Sequence, residues 1–210
     1  LALVRQLVAR DPTNAPYKRD LVIALQRIAD QKLLAGDEDG ALALFQEAEA
    51  VVRGLAASDP GNQGYQSDLA IAIEKAGDAM LAKGDVAGAI RLYDEQLVIA
   101  RKLAASDPDN ANWQRGLSVA LERMGDAKVK AGDNAAALAV FEESLVINRR
   151  LAESDPENLD WQRDLMVILN RVAGMRLQAY DFDNSVAAFE EGLAIARALV
   201  AAEPESVERR

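Results

Sequence analysis

The chain has 210 residues, half of them apolar but only 5% aromatic, so Ala, Leu, Val and Ile must supply the core, a composition suited to thin helical layers. With 34 acidic against 24 basic residues the formal charge is −10, which argues against a nucleic-acid or anionic-membrane surface and favours approach of a basic partner. Cys and His are absent, which excludes disulfides, thiolate nucleophiles, imidazole bases and the usual zinc ligands, and no run approaches the ~18 apolar residues of a membrane span.

Residues 1–12 read as the end of a second helix from a preceding partial repeat, in which Leu1, Leu3, Val4, Leu7 and Val8 need an upstream neighbour. A start at Leu1 without Met suggests a piece of a longer protein. The segment closes on Asp11-Pro12, a dipeptide that returns at Asp59-Pro60, Asp107-Pro108 and Asp155-Pro156, with Glu203-Pro204 as a conservative echo; each step is 48 residues. Other columns keep the same step: Asn14, Asn62, Asn110 and Asn158; Tyr17, Tyr65, Trp113 and Trp161; Leu21, Leu69, Leu117 and Leu165; Phe45, Tyr93, Phe141 and Phe189; Arg53, Arg101, Arg149 and Arg197. Four repeats are therefore expected at 13–60, 61–108, 109–156 and 157–204, with 205–210 the start of a truncated next repeat or a tail.

Each repeat reads as two helices. In the third, Trp113, Leu117, Leu121, Met124 and Ala127 recur at spacings of three and four, one face of a first helix. Gly132-Asp133 then supplies a left-handed helix end and an N-cap, as do Gly36-Asp37 and Gly84-Asp85. The second helix carries Leu138, Phe141, Leu145 and Leu151 together with Val140 and Ile147, a face wide enough to meet its own partner and the next repeat. It stops near Ser154-Asp155-Pro156, because Pro cannot continue it. One hairpin cannot bury such a face alone, so the hairpins must stack.

These columns resemble the tetratricopeptide repeat, a helical hairpin of about 34 residues with small, aromatic and small residues at fixed places. Gly77, Ala89 and Tyr93, and likewise Gly125, Ala137 and Phe141, keep the family's spacing; Ala29, Ala41 and Phe45 match with Ala for Gly, and Ala173, Ser185 and Phe189 more loosely. Each helix is about seven residues longer than in the family, close to two turns, so the packing face is not rotated. The resemblance implies an all-α fold, a right-handed α-solenoid of stacked antiparallel helical hairpins. It also implies a non-catalytic, cytoplasmic scaffold for protein–protein interaction, of a long-helix bacterial type.

By the same resemblance a protein or peptide partner lies in a concave groove lined by first helices. Its candidate residues, carried over by register, are Gln26, Glu74, Glu122 and Asn170, three before the small contact residue, and Asp30, Asp78 and Asp126, one after it. Glu74 with Asp78 and Glu122 with Asp126 are like charges at i,i+4, each costing ~0.2–0.5 kcal/mol of helix stability. Either a basic ligand compensates, or Lys75, Arg123 and Arg171 from neighbouring helices do, or water simply solvates the carboxylates. Carboxylates at these positions disfavour an acidic-tail ligand, and Arg19, Arg115 and Arg163 stand about two turns away.

Trp113 and Trp161 are expected in the core, since their column is aromatic in every repeat. The Asp181-Phe182-Asp183-Asn184 turn lacks the Gly and Glu that a calcium loop needs at its sixth and twelfth positions, so N-cap chemistry is the better reading. With no phosphate loop and no nucleophile motif, neither an enzyme nor a cofactor is expected, and no nucleic acid or membrane partner. The competing reading is a structural spacer or self-association module with an empty groove, associating through its uncapped ends.

Overall fold

The computed structural model describes residues 1–202, and the expected Glu203-Pro204 echo and the truncated repeat or tail at 205–210 lie outside them. Among the described residues there are nine helices and no strand: α1 (Ala2–Arg10), α2 (Ala15–Leu34), α3 (Glu38–Ser58), α4 (Gln63–Ala82), α5 (Val86–Ser106), α6 (Ala111–Lys130), α7 (Asn134–Ser154), α8 (Leu159–Gln178) and α9 (Phe182–Ala202). The chain forms two compact units, one of α1–α5 and one of α6–α9. In each, antiparallel hairpins stack in the manner of an α-solenoid, α3 on α4 in the first unit and α7 on α8 in the second. First helices have 20 residues, or about 30 Å.

The helix boundaries follow from the recurring residues. The Asn14, Asn62, Asn110 and Asn158 side-chain oxygens accept the N–H of Tyr17, Tyr65, Trp113 and Trp161 at 3.0, 3.1, 3.3 and 3.2 Å, so two columns form one N-cap. First helices end before Gly36, Gly84 and Gly132, whose φ values of 78°, 84° and 79° are costly for any residue with a Cβ. Asp37, Asp85 and Asp133 then cap the second helices by accepting from Gly40, Gly88 and Ala136. In the fourth hairpin Tyr180 takes the glycine's place and keeps the left-handed conformation at φ 61°. Second helices close where Ser58, Ser106 and Ser154 donate to the carbonyls of Leu55, Leu103 and Leu151, just before Asp-Pro.

Close approach of the two helices in a hairpin sets the core. Gly77 faces the ring of Tyr93 and Gly125 that of Phe141, with no room for a Cβ. In the first unit Phe45 packs with Ala29, Ala41, Ala76 and Ala79, joining α2, α3 and α4. In the second, Phe141 and Leu145 of α7 pack against Leu165, Ile168, Leu169, Val172 and Ala173 of α8. Burying each large side chain contributes roughly 1.5–3 kcal/mol, so the stacking contact carries much of the stability of each unit. Trp113 and Trp161 differ from expectation: they are half-buried, as are Tyr17 and Tyr65. Their place at the N-cap puts them at the end of the hairpin, where only one side is covered.

Candidate functional site

Of the positions carried over by register, Asp30, Glu74, Asp78, Glu122 and Asp126 each meet a polar neighbour. In the first unit Asp30 of α2 faces Lys75 of α4 at 3.5 Å. Asp78 accepts a 2.6 Å hydrogen bond from the hydroxyl of Tyr93, whose ring is buried against Gly77. Glu74 accepts from the buried Gln96 side chain at 3.2 Å, and the amide oxygen of Gln96 has no partner among the described residues. Gln26 lines a cavity of about 310 Å³ between α2 and α4, with Arg19, Val22, Ile23, Val52, Asp68 and Ile71. Arg19 closes one side: it donates to Asp68 at 2.6 Å and lies 5.6 Å over the Tyr65 ring.

The second unit uses the same positions differently. Where α2 and α3 have Val22, Gln26 and Val52, α6 and α7 have Ser118, Glu122 and Asn148. Asn148 donates to Ser118 at 2.8 Å, the Ser118 and Ser144 hydroxyls are 2.8 Å apart, and Ser144 donates to Glu122 at 3.3 Å. Burial pushes the Glu122 carboxyl above its ordinary range, against the pull of Arg171 and of the Ser144 and Asn148 donors. Asp126 is paired with Arg171, which also lies 5.5 Å over the Phe141 ring. Asn170 is exposed, and Arg115 pairs with Asp164 at 2.6 Å, as Arg19 does with Asp68. The Lys75 and Arg171 contacts place two of the three cations considered for compensation beside carboxylates of the preceding first helix, Asp30 and Asp126. Among the described residues no three metal-ligating side chains converge.

One column escaped the register reading. Ile23, Ile71 and Val167, six residues before the small contact residue, are 49%, 48% and 40% exposed, with Val119 at the same place half-buried. A β-branched aliphatic in the sequence at every 48-residue step looks like core; only its position between the Arg19-type and Gln26-type columns marks it as outward.

No family model matches the sequence, and no curated protein matches it. Solved structures do match in shape. BtubC (BKLC) from P. vanneervenii superposes with a TM-score of 0.70 at 17% identity, over 94% of this chain and 69% of that one. The apo form of RapI superposes with a TM-score of 0.64 at 9% identity, over 86% of this chain and 44% of that one. At these identities the likeness shows the fold: this is an all-α protein of the helical-repeat class.

Proposed function

We propose that the chain is a long-helix tetratricopeptide-type scaffold that binds a protein or peptide through the outward faces of its first helices and catalyses no reaction. The observation that carries this reading is the exposed Ile23, Ile71 and Val167 column. β-branched residues are poorer helix formers than Ala or Leu by a few tenths of a kcal/mol, and here burial offsets that only in part. Beside them stand Gln26, Asp30, Glu74, Asp78, Glu122, Asp126 and Asn170, so a partner segment with aliphatic and basic side chains fits best. The net charge of −10 favours its approach. Among the described residues no helix is long and apolar enough to cross a membrane. A cytoplasmic, bacterial setting belongs to the same reading and rests on the resemblance alone.

The acidic positions are poor first targets for mutation, because Asp126 and Asp78 also tie helices together. The test is therefore capture of partners from the source cell by the wild-type chain and by an Ile23→Lys, Ile71→Lys variant of equal helicity. A protein held by the first and lost by the second, with amides of α2 and α4 protected from exchange in the complex, supports the reading. Identical capture by both, or no protection on these helices, overturns it and leaves a spacer or assembly role.

A further inference from the structure

The cavity between α2 and α4 combines an apolar floor with a charge-balanced rim. Val22 of α2 and Val52 of α3, 8% and 1% exposed, form the floor, and Ile23 and Ile71 stand half-exposed at the mouth. The two charged residues of the lining, Arg19 and Asp68, are paired with each other at 2.6 Å, and Arg19 also lies over the Tyr65 ring. The lining therefore turns no net charge toward an occupant. Water on the valine floor meets no donor or acceptor there, so an apolar group displaces it at little cost. The volume is about 310 Å³, and an apolar cavity of about 150 Å³ already holds benzene.

The second unit carries the opposite chemistry at the same register. Val22, Gln26, Ala48 and Val52 stand where α6 and α7 have Ser118, Glu122, Ser144 and Asn148. There Asn148 donates to Ser118 at 2.8 Å and Ser144 to Glu122 at 3.3 Å, so polar side chains fill the floor and satisfy one another. The hairpin folds over either floor, and the two valines of the first unit are not a demand of helix packing. Farther along α2 and α4 lie Asp30, Glu74 and Asp78, which complement basic residues beside an apolar one.

We infer that the cavity anchors one bulky apolar side chain, of the size of Phe or Leu, from a peptide segment in which basic residues flank it. This anchor presupposes that the first helices form the binding surface, and it fixes where along them the segment sits. Val22 and Val52 meet the side chain from below, and Ile23 and Ile71 from the sides. Binding energy concentrates on such a buried anchor, while the acidic residues govern approach and orientation. The floor residues then determine specificity. The Ser118, Glu122, Ser144 and Asn148 floor rejects the same side chain, because an apolar group laid over it strips water from the partly exposed Glu122 carboxylate.

The experiment titrates the full chain with blocked peptides of sequence Lys-Ala-Ala-X-Ala-Ala-Lys, X being Phe, Leu or Ala, and follows amide chemical shifts on α2 and α4. The Phe and Leu peptides are expected to bind about tenfold more tightly than the Ala peptide, equivalent to ~1.4 kcal/mol. Grafting the second unit's floor, as Val22→Ser, Gln26→Glu, Ala48→Ser and Val52→Asn together, is expected to erase that preference at unchanged helicity. Val22→Met, which fills the cavity without adding polarity, is expected to weaken the Phe and Leu peptides and spare the Ala peptide. Equal affinities for all three peptides, a preference that survives both variants, or no shift on α2 and α4 at millimolar peptide overturns the inference. Capture from the source cell separates the anchor from the broader reading. A partner lost with Ile23→Lys, Ile71→Lys but held by the grafted chain and by Val22→Met rules out the anchor and leaves the binding surface standing. A partner held by all of them removes the surface as well.

Discussion

Gly125 lies so close to the ring of Phe141 that a Cβ built on it would stand 2.5 Å from Cζ, inside any real contact distance. The glycine is thus a packing requirement in the middle of α6, where it costs about 1 kcal/mol of helix propensity relative to Ala. Gly54 and Gly116 also sit inside helices, but nothing lies within 4 Å of where their Cβ would be. Opposite signs follow. Gly54→Ala or Gly116→Ala is expected to stabilise by about 0.5–1 kcal/mol, whereas Gly125→Val is expected to cost about 1–3 kcal/mol by overpacking. Urea midpoints measure both, and a stable Gly125→Val protein would mean that α6 and α7 separate easily.

The Asn column is a second place where a side chain acts through the backbone. Asn110 accepts the N–H of Trp113 at the start of α6. Removing the side-chain acceptor leaves that N–H only the backbone carbonyl of Asn110, at 3.1 Å. Asn110→Ala is expected to cost about 1 kcal/mol, and Asn110→Asp to retain most of it. Denaturation at neutral pH checks this, with equal loss in both variants as the result that would count against the cap.

The repeat made the hairpins, the glycine turns and the aromatic–glycine contacts readable from residues alone, because each is fixed by local chemistry recurring at one spacing. What could not be read was how deep a column lies. The Trp113 column recurs as faithfully as the Phe141 column, yet the first is half-buried while Phe45, Tyr93 and Phe141 of the second are buried, since depth depends on what covers each position. The buried network of Ser118 on α6 with Ser144 and Asn148 on α7 was also hidden, because polar residues within a helix face suggest solvent until their partners are known. The carboxylates singled out by register are met from the core side, where Tyr93 donates to Asp78 and Gln96 to Glu74, contacts that no sequence spacing announces.

Tyr180 tests how far the last hairpin has departed from the others. It holds φ 61° where three glycines do the same elsewhere, and its ring meets Phe182 edge-on at 6.1 Å. A left-handed conformation costs a residue with a Cβ roughly 1–2 kcal/mol, and Gly gives back part of that gain through the entropy of the unfolded chain. Tyr180→Gly is expected to stabilise by about 0.5 kcal/mol in thermal or urea unfolding. A less stable variant would show that the contact with Phe182 outweighs the backbone strain.

Glu122 makes stability depend on pH in a direction opposite to most carboxylates. Burial raises its folded-state pKa above the ordinary 4.5, while Arg171, Ser144 and Asn148 restrain the rise and Asp164 adds to it. Between 4.5 and the raised value the folded chain holds a proton that the unfolded chain has released, so this group's contribution falls as pH rises through that window. Above the window the charged form is the less favoured one in its site; below 4.5 the penalty is gone. Glu122→Gln keeps the oxygen that accepts from Ser144 and Asn148 and removes the charge. The stability of the wild-type chain relative to this variant is therefore expected to increase as pH is lowered from 7 to about 4.5. Urea unfolding of both proteins across that range measures the difference. A relative stability that instead falls toward low pH would mean that Arg171 and the hydrogen-bond donors dominate, and that the carboxylate is held charged for the sake of the pairing with α8.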